Sequence, residues 1–208
     1  MKYTLRITAL LLVFLLGASL LLGCKKDDDE LPDAPVYSAT DISECVRLGE
    51  YKNMTVDATQ SELSADVALW NKIVSNAEIV KYPESAVAYY KGQAKQRYKY
   101  HAEEGGMSYD ELLASLEISE EDILAEAKGY VRSDLVKLAI IEAEGLHLTD
   151  DEKTRLFDKY AYKFSTTYGY SDEYVRKNLS DEIYEVMQYD KMMEFLMLNN
   201  TVKKVTEE

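Results

Sequence analysis

Few side chains in this 208-residue sequence are placed to do acid–base, nucleophilic or metal chemistry. The two histidines, His101 and His147, fall on different predicted elements and have no clustered cysteines beside them, so the ligand set of a zinc site is missing. The paired acids Glu120/Glu121 and Asp150/Asp151 fall in first helical turns. There the free N–H groups and the macrodipole favour negative charge, which explains them without catalysis. The sequence contains no glycine-rich phosphate loop, Gly-x-Ser-x-Gly, Cys-x-x-Cys or His-Glu-x-x-His. We therefore expect no enzyme active site and no cofactor.

What the chain has in excess is tyrosine: seventeen, against one tryptophan and four phenylalanines, with seven methionines. A phenol offers a large apolar face with a wet end, and methionine adapts to irregular partners. Tyr89, Tyr90, Tyr98, Tyr100, Tyr168, Tyr170, Met193 and Met197 are the candidate binding residues, since neighbours such as Tyr89 and Tyr90 cannot all face one core. Taken singly, each also fits the boundary of an amphipathic helix. Taken together, they suit a surface that grips apolar segments without sequence preference.

The N-terminus says where such a surface would work. Lys2 and Arg6 precede an uncharged stretch from Ile7 to Leu22, the layout of a secretory signal. The stretch is shorter than the roughly 20 residues of a spanning helix. Leu21-Leu22-Gly23-Cys24 resembles the bacterial lipobox, which implies cleavage after residue 23 and a lipid on Cys24; an uncleaved anchor helix is the alternative. Either reading gives an extracytoplasmic protein held at a bacterial membrane. Loss of Lys2 and Arg6 with a leader takes the net charge from −14 to −16. A chain this acidic has no electrostatic reason to hold nucleic acid. With Cys24 lipidated, Cys45 has no partner for an internal disulfide and reads as a small apolar filler.

The elements that would position these residues are mostly helical. Residues 24–45, with Asp27-Asp28-Asp29-Glu30, Pro32 and Pro35, read as a flexible acidic tether reaching about 25 Å. Alternation at Val46/Leu48 and Met54/Val56 around Lys52-Asn53 marks one short extended segment, the only β signal. Leu63, Val67, Trp70, Val74 and Ala77 form a helical stripe behind a possible Ser61 cap. Val87, Tyr90, Ala94, Tyr98 and His101 form another, opened by a first-turn Pro83 and stopped at Gly105-Gly106. A short helix follows over Tyr109–Leu116. Ser119-Glu-Glu-Asp122 opens the longest helix, which Gly145 closes, and Thr149-Asp-Asp-Glu152 is a capping box for the next, in which Leu156, Tyr160 and Phe164 share a face up to Gly169. Ser171 and Ser180 start a short and a long final helix, the long one with Ile183, Val186, Met187, Met193 and Met197. The fold class is all-α, built from paired helices.

Three stretches carry a family resemblance. Val46-Arg-Leu-Gly-Glu-Tyr-Lys-Asn-Met-Thr-Val56 resembles the linker strand of bacterial trigger factor, and Tyr82-Pro-Glu-Ser-Ala-Val87 resembles the start of its C-terminal helical domain. Lys137-Leu-Ala-Ile-Ile-Glu-Ala-Glu-Gly-Leu-His-Leu-Thr-Asp-Asp-Glu152, with Tyr168-Gly169 after it, is similar to that family's helix–cap–helix passage. The resemblance spans roughly residues 46–205 and implies helical arms, an architecture shared with SurA-like periplasmic chaperones, that cradle unfolded chains without ATP. It leaves no room for the FKBP-type prolyl isomerase domain between residues 80 and 82, and no counterpart of the ribosome-docking domain precedes it. The expected partners are unfolded or newly exported polypeptides and a membrane, with neither ribosome nor nucleic acid. The alternative is a helical module that holds one specific cell-surface protein; by family, the label of a prolyl isomerase could also attach.

Overall fold

The computed structural model describes residues 32–37, 39–58 and 64–204. The expected signal peptide, Cys24, the acidic block Asp27–Glu30 and the expected Ser61 cap lie outside them. Among the described residues the order is α1 (Ala39–Cys45), β1 (Val46–Arg47), β2 (Thr55–Ala58), α2 (Ala65–Asn76), β3 (Glu78–Ile79), α3 (Glu84–Glu104), α4 (Tyr109–Leu116), α5 (Glu120–Glu144), α6 (Asp150–Tyr168), α7 (Asp172–Asn178), α8 (Ser180–Leu198) and β4 (Thr201–Lys204). The fold is all-α, with only short strands. It divides into two compact units, the first from residues up to 47 with 78–136, the second from 48–77 with 137 onward; α5 gives residues to both.

In the first unit, α3, α4 and the start of α5 close around Ala94, Tyr98, Leu113 and Ile123, with Tyr109, Leu112 and Ile118 packed against them. Local signals set the helix ends. Pro83 is the N-cap of α3, one residue earlier than the first-turn position expected. Ser108 and Glu111 form a capping box at α4, and Ser119 exchanges bonds with Asp122 at the start of α5. The burial stripe on α3 is turned slightly from the expected one: Ala86, Ala94, Tyr98 and Ala102 are buried, while His101 is exposed.

Two corrections apply at the N-terminal side of this unit. The tether read as running to residue 45 ends earlier, because Ala39–Cys45 is helical. Ile42 and Cys45, one turn apart, are both buried, and burying that short face orders the segment. Cys45 thus occupies the apolar position expected of it. The extended segment is also not the only strand region: β1 pairs antiparallel with β3 in the register Val46↔Ile79 and Arg47↔Glu78. Val80 N–H then donates to the Cys45 carbonyl at 2.8 Å.

The second unit is built on a core of Ala161, Phe164, Val175, Leu179, Ile183 and Met187, with Leu156, Tyr160 and Val186 among the half-buried side chains around it. The Thr149/Glu152 capping box and the left-handed Gly145 and Gly169 stand where the sequence placed them, with φ of 62° and 71° at the glycines. Ser171 caps α7, whereas Leu179 rather than Ser180 is the N-cap of α8. In α2 the buried set is Ala68, Leu69, Trp70 and Ile73 behind Ser64, and the expected Val67 and Val74 are only half-buried.

The second half of the extended segment pairs with the last described strand of this unit. β2 lies parallel to β4, from Thr55↔Thr201 to Ala58↔Lys204, with Val56 and Ala58 inward. Asn200 holds the junction: its Oδ1 accepts from the Met54 N–H at 2.9 Å, and its Nδ2 donates to the carbonyls of Tyr51 and Leu196 at 3.0 and 2.8 Å. Gly49 lets the chain run tightly past the end of α2, since a Cβ there would lie 2.2 Å from the Asn76 carbonyl oxygen.

Candidate functional site

The candidate binding residues fall into two sets, one in each unit. In the first unit, α3 carries Tyr89, Tyr90, Tyr98 and Tyr100. Tyr89 and Tyr90 are half-buried and meet edge-to-face at 5.2 Å, and Tyr90 stacks on Tyr130 of α5 at 5.4 Å. The Tyr90 hydroxyl donates to Asp134. Burial first, and then the Asp134 carboxylate, hold this phenol well above its usual pKa. Tyr130 is raised likewise, chiefly by burial and then by Glu126.

Tyr98 is not a surface residue. It is 7% exposed, and its hydroxyl donates to Glu126 at 3.1 Å. Arg97 pairs with the same Glu126, and its guanidinium lies 5.1 Å from the Tyr98 ring centre. At 12% and 13% side-chain exposure this ion pair is nearly dry, so its worth lies in fixing how α3 meets α5. Tyr100 is exposed, with its hydroxyl bonded to Glu104 at 2.6 Å. Met107 and Leu116, on either side of α4's start and end, are exposed too, at 39% and 51%. Sequence periodicity did not single them out, because one is in a turn and the other is a helix-end residue.

In the second unit, Tyr168 and Tyr170 sit in a row that runs Phe164, Tyr168, Tyr170, Tyr174, with ring centres 5.5, 6.3 and 5.2 Å apart. They are half-buried and cover the α6–α8 core. Met193 is buried at 6% exposure and belongs to the interior, which removes it as a surface candidate together with Tyr98. Met197 is exposed, beside Leu198 at 80%. Among the described residues Tyr162 is the most exposed aromatic at 69%, and it is not one of the expected binding residues. The signal was present: with Tyr160 and Phe164 on the core face, the helical turn puts Tyr162 opposite.

Among the described residues, the shifted phenols and cations move up and the shifted carboxyls move down, away from pH 7. Tyr160, bonded to Asp190 at 2.8 Å, is pushed up to about 12 by burial and then by that carboxylate. Tyr189, edge-on to Trp70 at 6.1 Å, also goes up to about 12, through burial and then Asp66. Glu152 drops to about 2 through its bond to Lys191 and then to Thr149. These phenols and carboxylates hold their protonation states near pH 7. Among the described residues no group of three or more His, Cys, Asp or Glu is placed to hold a metal ion. Among the same residues no helix is long and apolar enough to cross a membrane.

Comparison with known proteins adds a family to this geometry. The family model of the bacterial trigger factor protein C-terminus matches residues 52–198. The trigger factor of Streptococcus mutans is 29% identical over 165 residues, which cover 74% of this chain and 38% of that protein. The chain thus spans well under half the length of this curated relative. No solved structure matches.

Proposed function

The chain belongs to the family of the bacterial trigger factor C-terminus, and from that premise we propose that it is a membrane-anchored, extracytoplasmic chaperone that holds unfolded or newly exported polypeptides without ATP. The observation that carries the reading is the set of exposed apolar side chains on both units: Tyr100, Met107 and Leu116 on one, and Tyr162, Met197 and Leu198 on the other. Each buries area when an apolar client segment settles on it, at about 25 cal/mol per Å². Capture in this reading is by area, and release is by the client's own folding.

Anchoring rests on the lipobox-like Leu21-Leu22-Gly23-Cys24, with the lipid on Cys24. A net charge of −14 disfavours nucleic acid and the anionic ribosome surface as partners. Prolyl isomerisation is not part of this reading, and a short prolyl peptide should isomerise at its uncatalysed rate.

The test is light scattering from an aggregating client with the folded chain at near-stoichiometric ratio. Suppression is expected, and its absence from a monodisperse, folded sample would sink the proposal. Metabolic labelling with a palmitate analogue should mark the wild-type chain and leave Cys24→Ser unmarked.

A further inference from the structure

The two sides of α6 differ in charge. Leu156, Tyr160 and Phe164 belong to the core side, while Arg155, Lys159, Tyr162 and Lys163 are exposed. Residues 155, 159 and 163 follow at i, i+4 and i+8, so their side chains share one face and step about 6 Å along the axis. The ammoniums of Lys159 and Lys163 both lie beside the Tyr160 ring, 5.7 and 6.0 Å from its centre, which keeps them on the same side of the helix. Tyr162 stands within this stripe.

The three cations are unspent. Among the described residues Arg155, Lys159 and Lys163 make no ion pair, whereas Lys153 on the same helix lies 3.9 Å from Asp150. Asp158, the acid at the edge of the stripe, is already bound by Arg176 of α7 at 2.7 Å, and Arg176 also holds Asp172. Asp151, one turn before Arg155, is the next acid along this face. With 38 acidic and 24 basic residues the chain has carboxylates to spare, so three neighbouring cations left open stand apart from the rest of its surface.

An extended polypeptide presents every second side chain on one face, about 6.6–6.8 Å apart, close to the step of this stripe. Carboxylates at alternate positions meet Arg155, Lys159 and Lys163 in turn, and an aromatic neighbour covers the ring of Tyr162. A flat anionic bilayer extends far beyond the screening length of about 8 Å and meets the whole chain, with its net charge of −14, whereas one segment meets only the stripe.

We propose that the exposed face of α6, with Arg155, Lys159, Tyr162 and Lys163, docks an extended polypeptide segment that carries alternating carboxylates and an aromatic side chain. The proposal rests on the chaperone reading above and gives it a preference among clients that apolar area alone does not supply. Exposed ion pairs contribute little singly, so the segment is held weakly, released readily and weakened by salt.

The probe is a labelled synthetic peptide, Gly-Glu-Ser-Glu-Phe-Glu-Ser-Gly, added to the full chain and read by anisotropy beside a copy with Gln for each Glu. Wild type should bind the acidic peptide about thirtyfold more tightly, from roughly threefold for each of three exposed pairs. The combined Arg155→Gln/Lys159→Gln/Lys163→Gln variant should lose that margin, while Lys72→Gln, an exposed lysine on α2, should keep it. Tyr162→Ala should weaken the acidic peptide about fivefold and leave a version with Ala for Phe unchanged. All of these substitutions are at exposed positions, and Trp70 fluorescence during urea unfolding checks that each variant is folded. Equal affinity of wild type for the acidic and Gln peptides, or an acidic-peptide affinity unaltered in the triple variant, would overturn the docking surface. Loss of binding to phosphatidylglycerol vesicles in the triple variant, with no discrimination between peptides, would assign the stripe to a membrane and overturn it too. Selective binding of the acidic peptide by a chain that suppresses no client's aggregation would leave the docking surface standing and overturn the chaperone reading.

Discussion

The two units solve the same packing problem with different materials. The second closes α6, α7 and α8 on an apolar cluster of Ala161, Phe164, Val175, Leu179, Ile183 and Met187, with its ion pairs at the rim, such as Arg176 with Asp158 and Asp172. The first also buries large aliphatics, among them Ile123, Val131 and Leu135, and adds a nearly dry Arg97–Glu126 pair and the Tyr90–Asp134 bond between α3 and α5. Apolar packing is non-directional and gains stability from area, whereas a desolvated ion pair gains little net stability and specifies geometry. The comparison teaches that in the first unit part-buried polar bonds between α3 and α5 add register to an apolar core, whereas around the α6–α8 cluster the Arg176 ion pairs stay at the rim.

The sharpest way to break that contrast is in the apolar core. Ile183→Ala should cost about 4 kcal/mol by transfer and cavity terms. Trp70 lies in the second unit and is the sole tryptophan, so urea unfolding followed by its fluorescence reads that unit. A loss under about 1 kcal/mol would mean that the site collapses freely and is not a packed core.

Next in size is the polar register. Glu126→Leu removes the carboxylate that Arg97 and Tyr98 share and should cost about 3 kcal/mol, whereas Arg97→Leu/Glu126→Leu should recover most of it. Hydrogen exchange of the α3 amides measures this unit. Recovery of stability with slackened Tyr90–Tyr130 packing would sharpen the comparison, while a double variant no better than the single would break it.

Asn200→Ala removes three bonds at the β2–β4 junction and should cost about 2 kcal/mol in the second unit, read again on Trp70. The smallest effect is the titration of Glu152. Its folded pKa, about 2, lies below the usual 4.5 because Lys191 and Thr149 hold the carboxylate. A depressed carboxyl stabilises fully above its unfolded pKa and loses that contribution as pH falls through the folded value. Thermal unfolding between pH 5 and pH 2 should therefore fall less steeply in Glu152→Gln than in wild type, and parallel slopes would remove Glu152 from the acid limb.

Local chemistry was legible wherever it acts over a few residues. The Thr149 box, Ser119 with Asp122, the α4 limits, Gly145 and Gly169 all stood where their residue types put them, because caps and left-handed turns are satisfied within one turn of chain. What failed depended on distant partners. Val46–Val56 read as one extended segment, yet its two ends pair with residues 78–79 and 201–204, and no local pattern names a partner that far along the chain. The tyrosines failed in the same way: composition marked them, but Tyr98 is interior and Tyr162 is bare. Helical phase sorts a face within one element, while burial depends on what packs there.

By itself the sequence determined the all-α body, most helix limits, the family and the abundance of amphipathic side chains. These follow from propensities, caps and periodicities that act over a turn or two. The tertiary structure alone decided which phenols are interior and which are exposed, and that α1 is ordered by its buried Ile42 and Cys45. Those outcomes depend on long-range burial, in which water is excluded by residues many positions away, and the identity of those residues is settled only when the chain has folded.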